Sequence, residues 1–190
     1  MANISNMTPT RNMTSGGKIR TTRKIALAGL LSSLAVALGF LLIAVPNVEL
    51  MTLTVFVSGA LLGVRGGALV GVVSMLIYSV ANPMGAAIPL VTVSQVVGLG
   101  LVGAVGAVAP AVRRVWKKRM VRNVIFAATG LLLTVSYDFL TNLALGLSMG
   151  TVVAVLVAGL LFSIIHFVSN ALIFFFLAEV LLSIDGRLRD

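Results

Sequence analysis

Runs of uncharged, mostly apolar sequence such as "IALAGLLSSLAVALGFLLIAV" and "TVVAVLVAGLLFSIIHFVSNALIFFFLA" dominate the chain and leave few ways for it to fold. About 20 such residues in helical form cross a hydrocarbon core of roughly 30 Å. With 59% hydrophobic and only 10% charged residues over 190 positions, and a mean hydropathy of +1.13, a water-soluble core could not absorb them all. A transmembrane β-barrel is excluded by pattern, because its strands alternate in polarity over about ten residues and these runs do not. The chain reads as an all-α integral membrane protein.

Apolar runs and their Pro, Gly and charge punctuation divide the chain into six expected transmembrane spans, at about 25–45, 50–64, 67–82, 88–112, 124–146 and 151–183. A basic tail, 1–24, is expected to be disordered and cytoplasmic. It leads into a full-length span without an A-x-A-type cleavage site, which favours a retained tail over a signal peptide. Residues 184–190 form a second cytoplasmic tail.

The positive-inside rule tests this division, since charge played no part in placing the outer loops. Counting from a cytoplasmic start, the inside segments hold Arg11, Lys18, Arg20, Arg23 and Lys24, then Arg65, then Arg113, Arg114, Lys117, Lys118, Arg119 and Arg122, then Arg187 and Arg189. These are all 14 Lys and Arg of the chain; the outer loops near 46–50, 83–87 and 147–150 have none. Both termini are therefore expected inside. Merging the short second and third spans would put Arg65-Gly66-Gly67 in mid-membrane and reverse every later pass.

The net charge of +9 does not mark a nucleic-acid binder, because the cations sit at loops and ends without aromatic interleaving. Trp116, among basic residues, has the position of an interfacial anchor. The absence of cysteine excludes disulfides and thiolate metal sites, and a single histidine cannot build a metal site alone. With one His, no Cys and no paired carboxylates on neighbouring spans, an intramembrane enzyme is the weakest reading. No G-x-x-x-x-G-K-[ST] loop is present, so energy for any transport has to come from a gradient or from a partner.

Polar side chains in mid-span normally face a protein interior or a water-filled cavity. Thr134, Asp138 and Asn142 lie four apart and form one helical stripe, with Tyr137 and Thr141 beside it. Ser163, His166 and Asn170 form a second stripe on the last span. Tyr78, Asn82 and Gln95 add polar groups near the outer ends of spans three and four. Such stripes serve either as interhelical glue, as an Asp138–His166 pair or proton relay, or as a ligand site. The outer loop "VPNVELM" supplies Asn47 and Glu49, the latter the only outer charge, and "NPMGAAIP" closes the next outer gap. On span one, Ala28 and Ser32, and alternatively Gly29, Ser33 and Ala37, would let another helix approach closely, within the chain or outside it. Gly98, Gly100, Gly103 and Gly106 have the same character.

Together the basic tail, the small-residue first helix, the outer segment "VPNVELMTLTVFVSGALLGVRGGALVGVVSMLIYSVANPMG" and the late "YDFLTN" and "HFVSN" resemble the substrate-binding S components of energy-coupling factor (ECF) vitamin transporters, over about residues 20–183. The resemblance implies a six-helix capture subunit in a prokaryotic cytoplasmic membrane, partnered by a transmembrane T component and two ATPases, with no cofactor and no catalysis of its own. In that family the S component is thought to topple in the bilayer and to dock through an A-x-x-x-A motif on its first helix. Here the match is Ala28 with Ser32, and Gly29 with Ser33 competes. Ligands bind near the outer side, which selects Asn47, Glu49, Gln95, Tyr137, Asp138, Asn142, His166 and Asn170. Those residue types suit a heterocycle or an amide-bearing vitamin, Asp138 could meet a cationic group, and no Arg or Lys is present to clamp an anion such as biotin. The alternative is a stand-alone, gradient-driven small-solute transporter or channel.

Overall fold

The computed structural model describes residues 13–83, 85 and 88–183, with side chains from residue 21 onward. The remainder of the N-terminal tail, the C-terminal tail 184–190 and residues 84, 86 and 87 of the "NPMGAAIP" turn lie outside the described residues. The described chain is helical, without strands: α1 Met13–Leu41, α2 Met51–Ala81, α3 Pro89–Gly106, the short α4 Ala109–Val115, α5 Arg119–Met149 and α6 Val152–Ile173. A π-helical turn, Phe174–Ala178, carries the last helix on to Ser183. α1 takes in residues 13–24 of the segment expected to be disordered.

Five of these helical stretches are long and apolar enough to cross a membrane, where six spans were expected. The difference lies in α2, which covers the second and third expected spans in 31 residues. It is not straight. Gly63 has φ 79° and ψ 179°, a backbone conformation essentially restricted to glycine, and it interrupts the helical ladder. A Cβ on Gly67 would collide with Gly59 Cα, whereas residues eight apart in a straight helix are about 12 Å apart along the axis. At the far ends the Met51 methyl and the Tyr78 ring lie 3.0 Å and 3.1 Å from where a Cβ on Gly39 would stand. The chain therefore reverses at Gly63, and two antiparallel arms, Met51–Leu62 and Val64–Ala81, lie side by side.

The first arm is the centre of the molecule. Every residue from Met51 to Gly59 is buried, including Thr52, Thr54 and Ser58 among the apolar side chains. α3 packs against both arms through glycine, as its glycine content suggested: Cβ atoms on Gly103 and Gly106 would strike the Gly67 and Phe56 carbonyls. Phe56 also reaches across to Phe126 of α5 and Phe174, with edge-on ring contacts at 6.1 Å and 5.1 Å. Gly130 makes room for the Phe174 ring. The outer surface carries large exposed side chains on every long helix, among them Leu30, Val80, Val97, Leu132, Val157 and Leu161, and water would not tolerate so much apolar surface.

The long second arm, α3, α5 and α6 leave the first arm short, because Met51–Leu62 rises only about 18 Å. Residues 42–50 fill part of the space above its start, and a cavity fills the rest. Two ends are thus distinct: a basic end with Arg65, the Arg113–Arg122 segment and Glu179, and a pocket end with residues 42–50.

Backbone contact at the glycines leaves no room for a methyl group. Gly103→Ala is expected to lower stability by about 1–3 kcal/mol through overpacking, whereas Gly29→Ala, with nothing within 4 Å, should be neutral or slightly stabilising. Thermal unfolding in detergent, followed by size-exclusion chromatography, separates the two.

Candidate functional site

The cavity at the pocket end has a volume of about 480 Å³, within the range of small-molecule sites. Its polar wall is built from segments far apart in sequence: Asn47 and Glu49 from the 42–50 segment, Thr52 and Tyr78 from the two arms of α2, Gln95 from α3, Tyr137, Asp138, Thr141 and Asn142 from α5, and Ser163 and His166 from α6. Leu42, Met51, Met75, Leu99 and Phe162 complete it with apolar surface.

The 42–50 segment reaches into the bundle instead of capping it. Asn47 adopts a left-handed backbone (φ 57°), which asparagine tolerates better than most residues. Its Nδ2 donates to the Phe162 carbonyl at 2.6 Å, and its own carbonyl accepts from Ser169 Oγ at 2.9 Å. Glu49 accepts from the Thr52 N–H at 2.8 Å, capping the start of α2, and from Asn170 Nδ2 at 3.4 Å. A carboxylate at a helix N-terminus is favoured by the exposed amides there.

The α5 and α6 stripes meet as their spacing suggests. Asp138 Oδ1 lies 2.8 Å from His166 Nδ1, and Asn142 Nδ2 donates to Ser163 Oγ at 3.3 Å. The other imidazole nitrogen, Nε2, stands 3.7 Å from Glu49 Oε1, too far for a hydrogen bond, and has no partner among the described residues. His166 thus sits between two carboxylates from different parts of the chain. Tyr137 meets it edge-on at 6.3 Å and occupies the space over Gly98. Tyr78 stacks on Phe40 at 4.6 Å and presents its ring to the cavity.

Seven of the eight expected ligand residues line the cavity. Asn170 does not: it is fully buried and holds Glu49 from behind. Helical spacing placed it on the correct face but could not show that the chain segment carrying Glu49 would lie between it and the cavity. Thr134, lower on the α5 stripe, is likewise buried and bonds its own helix at the Gly130 carbonyl. Tyr78, Thr52 and Phe162 were not among the expected ligand residues, and only the proximity of Tyr78 to the outer end hinted at its place.

On α1 the two small-residue registers separate. Ser32 is buried and Ala28, half-buried, packs against the core, so this pair takes part in packing within the chain. Gly29 and Ser33 face outward, tied by a Ser33 Oγ to Gly29 carbonyl bond of 3.0 Å.

At the basic end Glu179, buried on α6, accepts from Arg122 Nη2 at 2.6 Å and lies 3.6 Å from Arg113 Nε. Arg113 also donates to the Leu182 carbonyl at 2.5 Å, and Arg122 to the carbonyls of Trp116 and Lys117. Sequence reading missed this clamp, although an acid inside an apolar run opposite an Arg-rich loop is a usable signal.

No family model, curated protein or solved structure matches the chain. Five apolar helices around a polar cavity define the class: a multi-pass, all-α membrane protein with an internal small-molecule-sized site.

Burial alone would raise the Glu49 carboxyl above its ordinary value of 4.5, but the proximity of His166 and the Thr52 amide hold it below that value. The folded state therefore keeps Glu49 ionised more readily than the unfolded chain does. Its contribution is complete above pH 4.5 and is lost as the pH falls below that value. Hydrogen-exchange protection of residues 42–50, measured relative to the intrinsic rate at each pH, should fall in acid in the wild type, and Glu49→Gln should flatten that pH dependence.

Proposed function

We propose that this chain is the substrate-binding S component of an ECF-type importer in a prokaryotic cytoplasmic membrane. It captures a vitamin or vitamin-like small molecule from outside and passes it inward with a T component and two ATPase subunits. The observation that carries this reading is the cavity at the pocket end, where the 42–50 segment, both arms of α2, and α3, α5 and α6 each contribute polar side chains. Interhelical glue would pair its polar groups with one another. Here Gln95 and Tyr137 line the cavity, and His166 Nε2 is buried with no hydrogen-bond partner among the described residues, Glu49 Oε1 lying 3.7 Å away.

In this reading the basic end is cytoplasmic and the pocket end is outside, following the distribution of Lys and Arg. The two arms of α2 count as separate passes, giving six with both termini inside. The first arm is too short to cross by itself, and the entering 42–50 segment completes its path. That segment is also the part of the wall able to move aside for a ligand, since Asn47 and Glu49 hold it to α6 by side-chain bonds alone. The outward Gly29, Ser33 and Ala37 face of α1 is the docking surface for the T component, because Ala28 and Ser32 are already used. Toppling would carry a ligand enclosed at the pocket end to the cytoplasmic side, with ATP hydrolysed only by partners.

A second reading, a stand-alone gradient-driven carrier, draws on the Asp138–His166–Glu49 chain, since ionisable groups in series inside a membrane are the material of proton-coupled transport. The two readings part on energy source. The tagged chain, extracted gently from its native membrane, is expected to co-elute with a T component and two ATPases, and uptake into liposomes is expected only with that assembly and ATP. Uptake by the chain alone along a proton gradient would establish the second reading in its place.

A further inference from the structure

The charge of the cavity wall narrows the class of ligand. Among the described residues its titratable groups are Glu49, Asp138, His166 and the two tyrosines, and no Lys or Arg lines it. The imidazole can supply at most one positive charge, and it lies between two carboxylates, 2.8 Å from Asp138 and 3.7 Å from Glu49. Even with His166 protonated the trio keeps one net negative charge. Burying such a charge in a low-dielectric bundle is costly unless something pairs with it.

Within the chain that compensation is partial. The start of α2, through the Thr52 amide, offers Glu49 the equivalent of roughly half a charge. Among the described residues Asp138 has no comparable neighbour: its carboxylate bonds His166 alone, through Oδ1, and the residue lines the cavity. The cavity thus presents a net negative wall that a positive group would complement.

A metal ion does not fit that role. The imidazole stands between the carboxylates with Nδ1 committed to Asp138, so the three cannot converge on one ion, and the described residues form no group able to hold a metal. The remaining walls suit an organic cation. The Tyr78 and Tyr137 rings and Phe162 offer aromatic surface, whose electron-rich faces attract a desolvated cation. The carbonyl oxygens of Gln95 and Asn142 can accept hydrogen bonds from N–H groups.

We infer that the pocket selects a small planar organic cation, of amidine or protonated-heterocycle type, with Asp138 and Glu49 as counter-ions and Tyr78 and Tyr137 as walls. The inference rests on the reading of the cavity as a ligand site. An isosteric trio separates the two: benzamidine, cationic at pH 7, benzamide, neutral, and benzoate, anionic. Titrated against the full chain in nanodiscs by calorimetry, benzamidine is expected to bind at least tenfold more tightly than benzamide, and benzoate not at all. In Glu49→Gln the advantage of benzamidine should shrink several-fold. In Gln95→Lys, which places a cation in the cavity, benzamidine binding should vanish, and a monodisperse chromatographic profile guards against misfolding in either variant. Benzamide or benzoate binding as tightly as benzamidine would overturn the choice of a cation and leave the ligand site standing. Failure of all three to bind would overturn both.

Discussion

Backbone contact among Gly59, Gly67, Gly103 and Gly106 is the constraint on which the rest of the structure depends. It lets two arms of α2 and α3 approach more closely than side chains permit, and so buries Met51–Gly59 on every face. A helix enclosed in this way has to satisfy its polar groups internally, as Thr54 and Ser58 do on the Leu50 and Val55 carbonyls, and Phe56 anchors it through Phe126 and Phe174 at the basic end. Because the reversal at Gly63 leaves that arm short, the opposite end is not filled by helix. The space becomes the cavity, and the 42–50 segment has to enter the bundle to meet the start of α2. The site is thus a consequence of how the core packs, with polar residues placed where the helix is missing.

The two ends divide the work of the fold. At the basic end Glu179 gathers Arg113 and Arg122, tying α4, α5 and the end of α6, so that end is closed by charge-assisted bonds. At the pocket end the carboxylates and the imidazole come from separate segments and are joined by few bonds. Charges used for closure at one end are thus left lining a cavity at the other. The π-helical turn at Phe174–Ala178 precedes Glu179 and adjusts the register between the His166 stripe and the clamp.

Much of this was legible in the sequence. Four-residue spacing on α5 and the 163–166–170 pattern on α6 placed two polar stripes facing one another, and the Asp138–His166 pair forms where they meet. Glu49 was visible as a lone outer charge. Less legible were features set by packing over long range. Small residues at both Ala28/Ser32 and Gly29/Ser33 satisfy the same spacing rule, and only the position of α2 decides which pair is covered. Asn170 follows the stripe correctly, yet a segment 121 positions away takes up its amide. A break between the second and third spans was implied by the charge on Arg65 and expected at Arg65-Gly66-Gly67, but its place at Gly63 and its consequence, a first arm too short to span and a cavity above it, needed three dimensions.

The central claim is that this cavity holds a small molecule through the α5 stripe. Native mass spectrometry of the gently extracted protein tests it most directly. The account predicts one bound small molecule per chain, retained in the wild type and lost from Asp138→Ala and Asn142→Ala variants that keep the wild-type chromatographic profile. A ligand retained unchanged in both variants would contradict it.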